Sequence, residues 1–216
     1  MSVFTGLIAL AGMAQFVSAD RAAVRIMPLG DSITQGYSAS YRRSLWLALR
    51  EAGKKVDFVG TMDGHYAGGP GPGDYDVDHE GHWGWTADEV LARISDWVAR
   101  SDPDIVLLHL GTNDIGGGQD PAGTVKEIAG IIIRIRAHNP GIHVLLAAII
   151  PVDHEAANAR VRRFNAALGE LVQSLDSGSS RVLLVDQFEG FDAGLDTYDG
   201  LHPNAGGIQK MTAKWL

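Results

Sequence analysis

The sequence has no cysteine, which removes disulfides, thiolate zinc sites, iron–sulfur clusters and a cysteine nucleophile. Positive charge is scarce: 18 Lys and Arg stand against 26 Asp and Glu, a net charge of −8, and no basic run interrupts the excess. Such a surface repels phosphate backbones, so nucleic acid and anionic membrane are excluded as partners. After the first 19 residues no apolar run is long enough to span a bilayer. Internal repeats and divisive linkers are missing too. At 216 residues, 45% of them hydrophobic, the chain reads as one ordinary domain with a real core.

Met1–Ala19 carries no charged side chain and ends Val17-Ser18-Ala19, the small-residue pattern of a secretory cleavage site. The expectation is a signal peptide over residues 1–19 and a secreted, monomeric domain over 20–216. A buried N-terminal extension is the alternative. The chain stops at Lys214-Trp215-Leu216, inside a helix with Ile208, Met211 and Trp215 on its apolar face, and reads as truncated there.

What is present alternates. Val24–Leu29, Val56–Gly60, Asp104–Leu110, Ile142–Ile150 and Val182–Asp186 are short, apolar and β-branched, as strands buried on both faces should be. Between them run helical stripes: Tyr41, Leu45 and Leu49; Val90, Leu91, Ile94, Trp97 and Val98; Val125, Ile128, Ile132 and Ile135; Val161, Phe164, Leu168, Leu171 and Leu175. Thr86 and Glu89 have the spacing of a capping box. This order predicts an α/β fold with three α/β/α layers around a flavodoxin-like, parallel five-stranded sheet. Sites in such folds lie beyond the carboxyl ends of the strands. One biased stretch, Gly64–Trp85, is too irregular for a strand or helix and too long for a neutral turn.

Three strand-end loops carry chemistry. Strand one runs into Gly30-Asp31-Ser32, where Ser32 is a candidate nucleophile or only a helix cap. Thr34 breaks the G-x-S-x-G pattern and disfavours the α/β-hydrolase family. The third strand ends in Gly111-Thr112-Asn113-Asp114, and this loop should lie beside the first. Asn113 there either donates to a developing oxyanion or closes an Asx turn. Asp199-Gly-Leu-His202 lets the carboxylate orient one ring nitrogen while the other points outward, the arrangement a general base needs. Pro203 is suited to the first position of the following helix.

Together, Gly30-Asp31-Ser32, Gly84, Gly111-x-Asn113-Asp114 and Asp199-x-x-His202 resemble the four blocks of the SGNH (GDSL-type) hydrolase superfamily. Met27–Gly36 and His79-Glu-Gly-His-Trp-Gly-Trp85 are most similar to carbohydrate esterase family 3, the acetyl xylan esterase group. The resemblance implies Ser32 as nucleophile, His202 as general base and Asp199 as its orienter. It implies an oxyanion hole of the Ser32 and Gly84 N–H groups and the Asn113 side chain, with Gly81 competing for the glycine block. It also implies hydrolysis of small acyl esters, acetyl above all, on polysaccharide such as acetylated xylan, with no metal or organic cofactor.

Asp31 and Asp114 read as buried organisers. Asp31 also joins Tyr66, Trp83 and Trp85 among the weaker substrate contacts, the aromatic rings being suited to stacking on sugars. Tyr75 belongs with those rings; packing that pins a Gly-rich loop explains them equally well. Asp74, Asp76, Asp78 and Glu80 alternate as calcium ligands would, but His79 and Trp85 occupy the Gly and Glu positions of an EF-hand, so a solvated acidic loop is the better reading. The histidines lack zinc spacing, and His109 reads as a satisfied core residue. Two other functions remain open: a lipolytic esterase, thioesterase or lysophospholipase sharing the same triad, and a non-catalytic flavodoxin-like or glycan-binding module.

Overall fold

The computed structural model describes residues 22–68 and 72–216; the expected signal peptide over 1–19 lies outside them. Five strands form the main path of one sheet in the order β2-β1-β4-β5-β6, and every pairing is parallel. These are β1 (Val24–Gly30), β2 (Val56–Phe58), β4 (Ile105–His109), β5 (His143–Ala148) and β6 (Val182–Asp186). They match the five expected strands to within two residues at either end.

A sixth strand departs from expectation. Glu80–Gly81 forms β3, and it pairs with Leu29 and Gly30 at the end of β1. Since β2 takes up only Val24 to Ile26 of that edge, β3 continues its line after a long excursion. Two residues are too few to carry a period, which is why the whole Gly64–Trp85 stretch looks irregular in the sequence. The consequence is positional: β3 delivers residues 82–85 to the carboxyl edge of the sheet, where His82 N–H donates to the Gly30 carbonyl at 2.9 Å.

Each face of the sheet is covered. On one, Met27, Leu29, Val106, Leu108, Val144 and Leu146 meet α3 (Ala87–Ser101), α5 (Pro121–His138) and α6 (Glu155–Leu175). On the other, Ile26, Ile105, Leu107, Leu145 and Ala147 meet α2 (Tyr41–Glu51) and α8 (Ala205–Trp215). All four expected helical stripes point inward, with Leu91, Val125, Leu171 and Leu175 at their margins. Each fully buried Leu, Ile or Phe contributes about 1.5–3 kcal/mol, so these two clusters dominate the favourable side of folding. Three short helices complete the elements: α1 (Ser32–Gln35), α4 (Thr112–Gly116) and α7 (Ala193–Asp196). Among the described residues no helix is long and apolar enough to cross a membrane.

Local chemistry sets the ends that matter. Thr86 and Glu89 form the expected capping box at the start of α3. Gly111 has φ of 116° and its missing Cβ would fall 2.7 Å from the Phe164 ring, so only glycine joins β4 to α4 here. Asn158 and Asn165 on α6 each accept from and donate to one residue beyond β5, Val152 and Ile149 respectively, fixing that loop. His109 lies fully inside. Its ring finds no partner beyond its own backbone among the described residues, and burial holds its pKa down at about 4. It is a neutral, unsatisfied core histidine rather than the satisfied one expected.

Candidate active site

The site begins where β1 stops. Asp31, not Ser32, caps α1: its Oδ1 accepts the Ile33 N–H at 2.9 Å, which leaves Ser32 as the first helical residue with its hydroxyl released from capping. Asp31 is 0% exposed. Burial raises its pKa to about 6, against opposition from the Ile33 N–H, the Thr112 side chain and the charge of His202. A residue so enclosed has no surface to offer a ligand, so the expected Asp31–substrate contact is corrected to a buried support.

Ser32 Oγ meets His202 Nε2 at 2.9 Å, and His202 Nδ1 meets Asp199 Oδ2 at 2.7 Å. With Nδ1 donating to the carboxylate, Nε2 is left as acceptor of the serine hydroxyl. A tight turn joins these partners. Asp199 Oδ1 accepts the N–H groups of His202 (2.7 Å) and Leu201 (3.0 Å), and Gly200 supplies the positive φ between them. Burial pushes the Asp199 pKa up, but the His202 N–H, the imidazole and the Leu201 N–H outweigh it, and the carboxyl lies below its ordinary range. Pro203 does not open α8. It bridges to Thr197, and Asn204 caps the helix by accepting from Gly206 and Gly207.

Asn113 occupies the first turn of α4, beside β1 as expected, because β4 and β1 are paired as far as Gly30 and His109. Its Nδ2 donates to the Trp85 carbonyl at 2.7 Å, which fixes the carboxamide and leaves one N–H unused. Gly84 lies between Trp83, which reaches His202, and Trp85, which reaches Asn113. Its φ of 81° suits glycine, and its N–H, like that of Ser32, makes no hydrogen bond among the described residues. Gly81 has another reason to be glycine: a Cβ there would fall 2.5 Å from the Gln35 backbone nitrogen.

An aromatic group borders the serine. Trp83 stacks on the His202 imidazole (4.7 Å between centroids) and on Tyr66 (4.4 Å), Tyr37 meets Trp83 edge-on, and Tyr198 stacks on His202 at 5.7 Å. Tyr37, Tyr66 and Tyr198 are 52%, 55% and 57% exposed. Trp85 belongs elsewhere. It stacks on His82 and packs against the aliphatic face with Trp97, so it leaves the set of expected substrate contacts. Tyr75 is buried, its hydroxyl against His65.

Sequence reasoning missed Tyr37 and Tyr198, which adjoin Gly36 and Asp199 and were legible only as neighbours of motif residues. It also missed Gln35, whose Oε1 accepts the Trp83 N–H at 2.8 Å, and Arg42. That guanidinium is fully buried and donates to the carbonyls of Thr34, Gln35 and Val77, tying α1 to the long loop; burial lowers its pKa. The acidic run is not simply solvated. Asp74 pairs with Arg43, Asp76 accepts the Phe58 N–H, and Glu80 accepts from Thr61 and sits 2.7 Å from His82 Nε2. Among the described residues no three His, Asp or Glu side chains converge on a metal position.

Comparison with known proteins agrees with this geometry. The profile of the GDSL-like Lipase/Acylhydrolase family matches residues 29–210. A multidomain esterase of Ruminococcus flavefaciens is 30% identical over 217 residues, 89% of this chain but 28% of its own length. The chain therefore spans little more than a quarter of that relative. Two solved structures are 33% identical. One is an acetyl esterase mutant with acetate ion (TM-score 0.80, covering 88% of this chain and 93% of that one). The other is a carbohydrate esterase family 3 protein from Talaromyces cellulolyticus (TM-score 0.81, 89% and 94%). Sequence, sheet order and these likenesses converge: the chain belongs to the GDSL-like lipase/acylhydrolase family, is similar to carbohydrate esterase family 3 proteins, and its domain is a carboxylic ester hydrolase.

Proposed function

We propose that this domain removes acetyl groups from carbohydrate, of the kind found in acetylated plant cell-wall polysaccharide such as xylan, through a Ser32–His202–Asp199 triad. The observation that carries the reading is the continuous relay from Ser32 Oγ through both His202 nitrogens to Asp199. Ser32 Oγ attacks the ester carbonyl carbon as its proton passes to His202 Nε2. Negative charge gathers on the carbonyl oxygen, which the Ser32 and Gly84 N–H groups and the spare Asn113 N–H stabilise. The C–O bond to the sugar then breaks, and His202 returns the proton to the departing hydroxyl. Water attacks the acyl-enzyme, giving its proton to His202. Collapse releases acetic acid, and the proton returns to Ser32. Asp199 stays ionised throughout and steadies the imidazolium.

The acyl preference has a steric basis. The pocket beside the nucleophile, lined by Ser32, Ile33, Ala39, Tyr41, His202 and Ile208, is small and partly open to solvent. Its size favours a methyl over a fatty chain. The exposed rings of Tyr37, Tyr66 and Tyr198 offer flat apolar surfaces to sugar C–H faces. Secretion, suggested by the uncharged first 19 residues, fits a polysaccharide substrate, as does a monomer with an open site.

The test is acetate release from acetylated xylan alongside a 4-nitrophenyl ester series of rising chain length, in wild type and Ser32→Ala. Acetyl should be preferred, and Ser32→Ala should lose turnover while keeping its fold. A preference for long acyl chains would shift the reading to the lipolytic alternative. Near-wild-type turnover in Ser32→Ala would remove the triad.

A further inference from the structure

The base of the proposed triad is poorly held by its carboxylate alone. The Asp199 side chain is 41% exposed, and one Nδ1–Oδ2 contact does not by itself fix the plane of the imidazole. Something else must keep Nε2 aimed at Ser32. Two rings stack on the imidazole: Tyr198, 57% exposed and 5.7 Å away, and the nearer Trp83, whose plane lies 17° from that of His202 with centroids 4.7 Å apart.

Trp83 is itself fixed by two independent contacts. Its backbone N–H donates to the buried Gln35 side chain, and its indole stacks on Tyr66 with 25° between planes. Tyr37 closes against its edge at 66°. An indole so engaged has little free face for a sugar ring, unlike Tyr37, Tyr66 and Tyr198. It lies instead where the charge of the reaction appears. When the serine proton reaches Nε2, the imidazole becomes a cation over an electron-rich ring, an attraction the neutral ground state lacks. An interaction of that kind lowers the barrier and not the substrate's dissociation constant.

We infer that Trp83 is a positioning residue for His202, acting on ester cleavage through the imidazole and not through contact with the substrate. The inference rests on the Ser32–His202–Asp199 reading and replaces the expectation that Trp83 binds sugar.

Trp83→Leu and Trp83→Phe, assayed on ethyl acetate and on acetylated xylan, test it. The alkyl ester has neither a sugar nor an aromatic ring, so a stacking role cannot affect it. Trp83→Leu should lower kcat about 3- to 30-fold on both substrates, with KM unchanged within about twofold. Trp83→Phe, which restores a ring face, should recover most of the loss. A rise in KM confined to xylan would overturn the inference in favour of a sugar contact. Equal kcat losses in both variants, together with a fallen melting temperature, would overturn it in favour of plain packing, and unchanged kcat in Trp83→Leu would end it. Ser32→Ala run in parallel separates the two claims: an inactive Ser32→Ala beside an unaffected Trp83→Leu sinks only the role of Trp83, whereas an active Ser32→Ala sinks the triad.

Discussion

Trp83 and Trp85 stand two residues apart in one loop, and residue type gives no way to tell them apart. Trp83 turns toward the sheet edge, onto His202 and Tyr66. Trp85 turns inward, onto His82 and beside Trp97, over the aliphatic face. Gly84 makes the division possible, because its positive φ breaks the simple alternation of an extended chain. The two rings hold the loop at both ends, one at the imidazole and one in the core, and the glycine N–H is suspended between them. Position in an active-site loop therefore does not make an aromatic residue a substrate contact; what covers its faces does.

The sharpest way to break this picture is at Asn113, which joins the anchored end of the loop to the site. Its Nδ2 donates to the Trp85 carbonyl, and in the proposed mechanism its remaining N–H meets the oxyanion. Asn113→Ala should lower kcat roughly a hundredfold, about 3 kcal/mol, with little change in KM, because the charge it meets exists only in the transition state. A melting temperature that falls while kcat holds would reduce Asn113 to a tether for Trp85.

Trp85 itself should behave in the opposite sense to Trp83. Trp85→Ala removes a half-buried indole from against His82 and the core, and should cost about 2–3 kcal/mol of stability, less than a fully buried tryptophan. Thermal or urea unfolding measures it. Activity at low temperature should fall only as far as Gly84 loses its support. A variant as stable as wild type would mean that Trp85 is not an anchor, and the contrast between the two rings would fail.

How much of this could be read from the sequence follows from the range of the interactions. The long helices and the five main strands were legible because each repeats its pattern, as Val161, Phe164 and Leu168 do along α6. Ser32, Asn113 and the Asp199–His202 turn were legible as local motifs at strand ends. β3 was not, since two residues carry no period and its pairing is set by the edge that β2 leaves bare. The aromatic group was legible only in part: Tyr66 and Trp83 stand in the Gly64–Trp85 stretch, but Tyr37 and Tyr198 come from other loops, and only the closed fold brings the four together. Asn204 rather than Pro203 begins the last helix because a carboxamide satisfies two free N–H groups that proline cannot.

Asp31 is the buried support on the Trp83 side: it caps α1, whose Gln35 accepts the backbone N–H of Trp83. Its folded pKa of about 6 exceeds the unfolded value of about 3.9. Between those values the native state keeps a proton that the unfolded chain has released. Stability contributed by this group is therefore fully present below about pH 4, declines as pH rises to about 6, and is flat above that. Asp31→Asn cannot titrate, yet it keeps a side-chain oxygen able to cap Ile33. Relative to that variant, wild type should lose on the order of 2 kcal/mol of stability between pH 4 and pH 7. Urea midpoints for both proteins at several pH values give the difference directly, with every other titrating group cancelling. If the two curves run parallel, the buried proton is not on Asp31, and Asp114, whose carboxyl burial also raises, becomes the group to change next.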